Sequence, residues 1–208
     1  VMTEENERKI IELSKPDSFS LYVGVPFCPS RCSYCSFVMS SIERAKKLVD
    51  PYADLLCEEI KLTAEIANKL GLRLETVYFG GGTPTILSPE QLDQICCAVE
   101  QHFDLSQLKE YTVEAGRPDT IDEEKLRVLR RHNISRISIN PQTMKQATLD
   151  LIGRRHTVED VKEKFLLARE LGFDNINMDL IVGLPEETID DVRQTMEEIK
   201  ACLLYTSD

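Results

Sequence analysis

Three cysteines stand close together near the start of the chain, in the run Cys28-Pro-Ser-Arg-Cys32-Ser-Tyr-Cys35. This C-x3-C-x2-C spacing puts three thiolates on one short loop, enough to bind three irons of a cubane. An iron–sulfur cluster normally takes four cysteines, so a set of three leaves one iron open to a ligand. The competing chemistry is zinc, which wants four ligands in tetrahedral geometry, usually from two C-x2-C pairs. Its fourth ligand would have to be Cys57 or a distant histidine.

A second candidate is Gly80-Gly81-Gly82-Thr83-Pro84-Thr85. Consecutive glycines let a backbone approach a ligand closely and adopt positive φ, and they equally make a sharp strand-to-helix turn. The run matches neither the dinucleotide nor the P-loop fingerprint. Carboxylates near the ends of later strand-like segments, such as Glu114 and Asp179, are by themselves usually caps or salt bridges.

The elements that must position these residues alternate strand and helix. Strands are expected at 20–25, 76–79, 111–115, 134–139 and 175–182. Helices are expected over 51–70, with Pro51 in the first turn and Leu56, Ile60, Thr63, Ala67 and Leu70 on one face, and after the capping box Ser88-Pro89-Glu90-Gln91, burying Leu92, Ile95, Cys96 and Val99. Further helices are expected from Thr120 and Glu123 to about His132, over 143–152, over 157–171 with Val161, Phe165 and Ala168 inward, and from Thr188 with Ile189, Val192, Met196 and Ile199 on one face. Repeated strand–helix units imply a parallel α/β sheet with right-handed crossovers, either most of a (β/α) barrel or a doubly wound sheet. In both, chemistry gathers at the C-terminal ends of the strands.

With these motifs in place, the chain resembles the radical S-adenosylmethionine (radical SAM) superfamily, whose motif is C-x3-C-x2-C with an aromatic residue before the third cysteine, here Tyr34. The resemblance implies that Cys28, Cys32 and Cys35 hold a [4Fe–4S] cluster. The amino and carboxylate groups of S-adenosylmethionine would chelate the open iron, and one electron from the cluster would split the sulfonium to a 5′-deoxyadenosyl radical that abstracts hydrogen. The variant GGGTPT, the run Tyr22-Val-Gly-Val-Pro-Phe-Cys28 and the run Asp179-Leu-Ile-Val-Gly183-Leu-Pro185 are similar to one branch, the oxygen-independent coproporphyrinogen III oxidases. That branch implies an incomplete (β/α) barrel of about five strand–helix units, with Tyr22, Tyr34, Gly81, Gly82, Thr83, Glu114, Gln142, Arg154 and Asp179 at the S-adenosylmethionine site. Glu114-Ala-Gly-Arg-Pro-Asp-Thr-Ile121, Ile139-Asn-Pro-Gln142-Thr and Leu151-Ile-Gly-Arg154-Arg155-His156-Thr resemble the HemZ-type coproporphyrinogen dehydrogenases. Phe37 departs from the best-characterised oxidase, which has a further cysteine there.

The implied reaction is oxidative decarboxylation of propionates to vinyls in haem biosynthesis. The implied partners are a tetrapyrrole such as coproporphyrinogen III and an electron donor such as flavodoxin or ferredoxin. Relatives with a similar core act as haem chaperones, and another radical SAM reaction on a tetrapyrrole, such as methyl transfer, stays open. A tetracarboxylate needs cationic clamps, for which the candidates are Arg31, Arg117, Arg154 and Arg155.

The bulk numbers agree. A chain of 208 residues allows one sizeable core, expected over 20–200, with 1–19 as a flanking segment and 201–208 outside the family pattern, so that Cys202 carries no weight. Val1 before Met2 suggests that the sequence begins inside a longer protein. A net charge of −11 argues against nucleic acid as a partner, and no apolar run is long enough for a membrane span. Seven cysteines, an odd number with no secretory signal, argue for a reducing, cytoplasmic setting rather than a disulfide framework. Cys57 and Cys96 read as structural thiols, and His102 and His132 as solvated helix ends. His156 could face an anionic propionate or a helix end.

Overall fold

The computed structural model describes residues 15–37 and 39–204, the last two by backbone alone. Five parallel strands form the sheet: β1 (Ser18–Val25), β4 (Arg73–Gly81), β5 (Glu110–Gly116), β6 (Arg136–Ile139) and β7 (Ile176–Asn177). Each is hydrogen-bonded to the next in that order. A doubly wound sheet would reverse direction at its first strand; this one never does, so it is an arc of a (β/α) barrel. Two short strands, β2 (Phe27–Cys28) and β3 (Ser40–Ser41), pair with each other and close the cysteine loop at its base.

Alternation along the strands separates the two faces of the arc. Val23, Val25, Val77, Phe79, Val113, Ala115, Ile137 and Ile139 point outward into one core. The helices α1 (Ile42–Lys69), α2 (Pro89–His102), α3 (Glu123–Arg131) and α5 (Val158–Glu170) cover them with Leu56, Ile60, Leu92, Ile95, Leu126, Leu129 and Phe165. Two further helices, α4 (Gln146–Leu151) and α6 (Ile189–Leu204), complete the set. Among the described residues, no helix is long and apolar enough to cross a membrane.

The capping boxes are as the sequence reads: Ser88 with Gln91 starts α2 and Thr157 with Asp160 starts α5. Several expectations need correcting. Helix α1 begins nine residues before Pro51 and runs through it. A proline inside a helix removes one hydrogen bond and crowds the turn before it. Here the buried stripe Ala45, Val49, Ala53, Leu56, Ile60, Ala64 and Ala67 continues on both sides of it, and that tertiary burial outweighs the local cost. Leu70 is 67% exposed rather than on that face. Asp122, not Thr120, caps α3 by accepting from the Lys125 N–H. On α6 the buried face is Thr195, Ile199 and Cys202, while Ile189 and Met196 are exposed. Cys202 thus packs into the core, although the sequence reading set it aside.

The last strand is shorter than expected. Beyond Asn177 the ladder survives only where Gln142 N–H donates to Asp179 O and Ile181 N–H donates to Gln142 O, at 3.0 Å each. The chain at 140–142 has turned away from the sheet to build the rim, with Gln142 at φ +68°.

Candidate functional site

The rim at the C-terminal ends of the strands holds a cavity of about 260 Å³. Cys28, Cys32, Cys35, Tyr34, Gly81, Gly82, Thr83, Glu114, Gln142, Arg154 and Asp179 all border it. Of the site residues expected from sequence, only Tyr22 lies elsewhere. It sits on the inner face of β1, its ring stacked on Tyr78 at 5.8 Å between centroids.

The cysteine loop is clamped from two sides. Gly82 N–H donates to Val25 O and Thr83 N–H donates to Phe27 O, both at 2.8 Å. The Thr83 hydroxyl lies 3.3 Å from Cys28 Sγ. A Cβ on Gly82 would stand 2.6 Å from Phe27 O and 3.0 Å from Cys28 Sγ. Glycine is therefore required here for close approach to the cysteine strand, and the N–H groups of Gly82 and Thr83 are already engaged. From the other side, Ser33 N–H donates to Ile152 O at 3.0 Å and the Ser30 hydroxyl to Gly153 O at 3.1 Å.

Opposite the cysteines stand two carboxylates. Glu114 accepts from the Tyr78 hydroxyl. Burial raises its pKa above the ordinary glutamate value, and the nearby charge of Asp179 adds to the rise, against the Tyr78 hydrogen bond. Asp179 is oriented by Asn177, whose amide donates to it at 2.7 Å, and its own N–H donates to the Asn140 side chain at 3.3 Å. Arg154 is buried; it donates to Asn140 O at 3.2 Å and to the Tyr34 hydroxyl at 2.8 Å. Its Nε has no partner among the described residues.

These residues fit a cubane with one open position and a small cationic, carboxylate-bearing ligand beside it. Three thiols border the cavity and no fourth cysteine does. Cys57, which a zinc site would recruit, instead donates to Gln94 O at 3.8 Å, between α1 and α2. Two facing carboxylates suit a cation, and the free Arg154 Nε suits a carboxylate. All seven cysteines are free thiols.

Several residues have positions that the sequence reading missed. Tyr78 and Asn140 orient the carboxylates and Arg154. Arg117 is not an open clamp for a substrate but is buried, with its fork on Asp119 at 3.0 Å for both contacts. Of the Arg154-Arg155-His156 run, Arg155 points out to Glu43 at 3.4 Å, whereas Arg154 and His156 point in. His132 is buried rather than solvated, held by Glu100 and Asp93 at 2.9 Å each. The signal for Arg117 was present, since Gly116-Arg117-Pro118-Asp119 directly follows the strand carrying Glu114. Nothing in the sequence pattern marked His132.

An arc of parallel strands with a three-cysteine loop at its C-terminal rim defines a barrel protein built around an iron–sulfur chemistry. The model of the Radical SAM superfamily matches residues 22–199, and the chain belongs to that superfamily. It is 45% identical over 183 residues to the oxygen-independent coproporphyrinogen-III oxidase-like protein HemZ of Bacillus subtilis, covering 88% of this chain and 36% of that protein. It is 37% identical over 186 residues to the heme chaperone HemW of Lactococcus lactis, covering 89% of this chain and 46% of that one. The solved structure of coproporphyrinogen III oxidase (HemN) from Escherichia coli superposes with a TM-score of 0.79 at 29% identity, covering 88% of this chain and 41% of that one. The chain thus spans less than half the length of these relatives. The superfamily uses a [4Fe–4S] cluster and S-adenosylmethionine.

Proposed function

We propose that Cys28, Cys32 and Cys35 hold a [4Fe–4S] cluster beside bound S-adenosylmethionine, and that the protein containing this chain is a coproporphyrinogen III dehydrogenase. The observation carrying the first half is the single cavity shared by three thiols, two facing carboxylates and a buried arginine with a free Nε. When bound, cluster and cosubstrate supply a carbon radical able to take hydrogen from an unactivated C–H bond.

The residues of the chain do the rest. Glu114 and Asp179 accept from the ammonium and ribose hydroxyls of the ligand. Arg154 holds its carboxylate and is itself fixed by Tyr34 and Asn140. Gly81, Gly82 and Thr83 offer carbonyl oxygens, since two of their N–H groups already bind β1 and β2. Gln142 borders the same cavity, and its strained backbone is set by pairing with the Asp179 and Ile181 strand. Tyr22 acts one step back, bracing Tyr78 and through it Glu114.

In the proposed reaction each of two propionates, –CH2–CH2–COO⁻, would give a hydrogen atom from its β-carbon to the carbon radical, release CO2 and pass one further electron to a one-electron acceptor, leaving –CH=CH2. The three cysteines would hold a cluster that takes its electron from a low-potential donor of the flavodoxin or ferredoxin class in the reducing interior of the cell. Arg31, exposed at the cavity edge, is the cation of this chain best placed for a substrate carboxylate.

The similarity to a heme chaperone favours one second reading, a protein that binds haem without turnover. Mass analysis of coproporphyrinogen III incubated anaerobically with the intact, cluster-loaded protein tests both. A product lighter by two carboxyl groups is expected. Stable haem binding with no such product replaces the dehydrogenase by the chaperone.

A further inference from the structure

Beside the cysteine loop, at the edge of the same cavity, lies a charge pair, Arg117 and Asp119. Arg117 is 3% exposed. Its Nε and Nη2 form a two-pronged contact with Asp119 at 3.0 Å each. That fork fixes the guanidinium plane, so that Nη1 is aimed at the cysteine loop. Nη1 donates to the Ser30 hydroxyl at 3.0 Å and Ser30 O at 3.3 Å, and it points at Cys32 Sγ at 3.7 Å. Beyond Asp119 the His156 ring is buried, with neither nitrogen hydrogen-bonded among the described residues. Its Nδ1 lies 3.8 Å from Asp119 Oδ1, too far for a hydrogen bond, and the Asp119 side chain is 18% exposed against 4% for that of Arg117. A buried charge is costly unless it is paired; Asp119 pairs this one, and the donor left over, Nη1, faces Ser30 and a cysteine sulfur.

We propose that Arg117 and Asp119 together set the reduction potential of the cluster, Arg117 raising it and Asp119 limiting the rise. The inference rests on the reading that Cys28, Cys32 and Cys35 hold a [4Fe–4S] cluster. One electron from a low-potential one-electron donor adds one negative charge to the cluster and its thiolates, and no bond to protein need form or break. A fixed N–H directed at a ligand sulfur, with positive charge behind it on a side chain only 4% exposed, favours the more negative, reduced state. Asp119 acts in the opposite sense through its charge, and it also orients the fork. Both are positioning residues, because neither touches the irons or the substrate.

The two charges therefore make predictions of opposite sign. The cluster is reconstituted anaerobically in the chain, in Arg117→Gln and in Asp119→Asn, and all three are brought to the same iron and sulfide content. Each is then titrated with the EPR signal of the reduced cluster as readout. Arg117→Gln is expected to shift the midpoint to more negative potential and Asp119→Asn to more positive potential. Arg117→Lys, which keeps the charge and loses the fork, should fall between Arg117→Gln and the parent. Unchanged midpoints, or shifts in the same direction, overturn the inference. So does failure of both Arg117→Gln and Arg117→Lys to hold any cluster, which would make Arg117 a scaffold for the loop. If the parent chain itself forms no [4Fe–4S] cluster, the reading of the three cysteines fails first, a result distinct from a loaded cluster whose potential ignores Arg117.

Discussion

The C-terminal rim of the sheet and its outer helical layer collect the same residue types and use them differently. The rim has three cysteines, Glu114, Asp179, Asp119 and the buried His156. On the outside, α2 and the end of α3 bring together Asp93, Cys97, Glu100 and His132, with the ligand atoms of Asp93, Cys97 and His132 within 4.8 Å of one another. A cleft of about 670 Å³ opens beside Glu100 and His132 at the opposite end of the sheet from the cysteines. In the outer group the polar atoms satisfy one another: His132 has a carboxylate on each nitrogen, and Arg131 also holds Asp93, at 3.0 Å. At the rim, Arg154 Nε and both nitrogens of His156 have no partner among the described residues, and Gln142 and Gly81 hold positive φ. Buried polar atoms are nearly always paired, yet the outer end has its own exceptions, with Tyr111 Oη unpaired beside the cleft and Asn133 at φ +55°; what sets the rim apart is that its unpaired Arg154 Nε belongs to one cavity shared with three thiols and two carboxylates.

The largest test of that contrast is all-or-none. Cys28→Ala, Cys32→Ala or Cys35→Ala should each abolish the [4Fe–4S] absorption and EPR signal after anaerobic reconstitution. Cys96→Ala and Cys97→Ala should keep it. Cys96 is fully buried, and burial pushes its thiol up to about 12, so it offers no thiolate at neutral pH. A cluster lost in Cys97→Ala but kept in Cys35→Ala would reverse the two regions.

Next comes ligand affinity. Asp179→Asn or Glu114→Gln should weaken S-adenosylmethionine binding about ten- to hundredfold, roughly 1.5–3 kcal/mol for one charge-assisted hydrogen bond, with the cluster spectrum unchanged. Glu114 adds a pH signature. Its pKa is raised by burial and by Asp179, so it takes up a proton at a pH where ordinary glutamates are still ionised. Affinity for the cationic ligand should fall on acidification through that raised pKa, and the fall should vanish in Glu114→Gln. Isothermal titration across mildly acidic pH reads both effects; an identical pH profile in the variant would remove Glu114 from the site.

The outer region should respond in stability instead. His132→Ala removes two hydrogen bonds between α2 and α3 and should cost about 1–3 kcal/mol, read as a lower urea midpoint, with cluster content and ligand affinity intact.

Much of this contrast was legible in the sequence. The cysteine loop, the glycine run and the strand-end Glu114, Gln142 and Asp179 are local or periodic signals, and the capping boxes of α2 and α5 each fit within four residues. What escaped depends on contacts distant in the chain. Pro51 reads as a helix start because the turn before it is amphipathic only in relation to the sheet it covers. The face of α6 was misplaced because Ile189 and Met196 are apolar yet face outward, while Thr195 is polar and buried, its hydroxyl accepting from Met144 N–H at 3.0 Å. Arg117 reads as a free cation until Asp119, Ser30 and Cys32 are seen around it, and His132 reads as solvated until α2 closes over it.

The smallest expected effect is also the finest test, because the outer group has the composition of a metal site. Asp93 and Cys97 are four apart on α2, so they share a face, and a histidine from the next helix completes a set that zinc accepts. Three features argue against it. The His132 nitrogen facing Asp93 already has that carboxylate at 2.9 Å, and Arg131 puts a cation on the same oxygen. The Cys97 thiol is held above its ordinary pKa by burial and by the charges of Asp93 and Glu100, against the pull of Arg131, whereas a ligand must be a thiolate. Binding would therefore have to displace a guanidinium and release protons, for ligands that already have partners. Cys97→Ser should accordingly change stability by less than about 0.5 kcal/mol, as surface-layer substitutions without a special contact do. Added zinc should raise the unfolding midpoint of the cluster-loaded parent no more than that of the variant. A zinc-dependent rise present in the parent and absent from Cys97→Ser would show that the outer group binds metal after all, and that full pairing of polar atoms does not by itself mark a structural region.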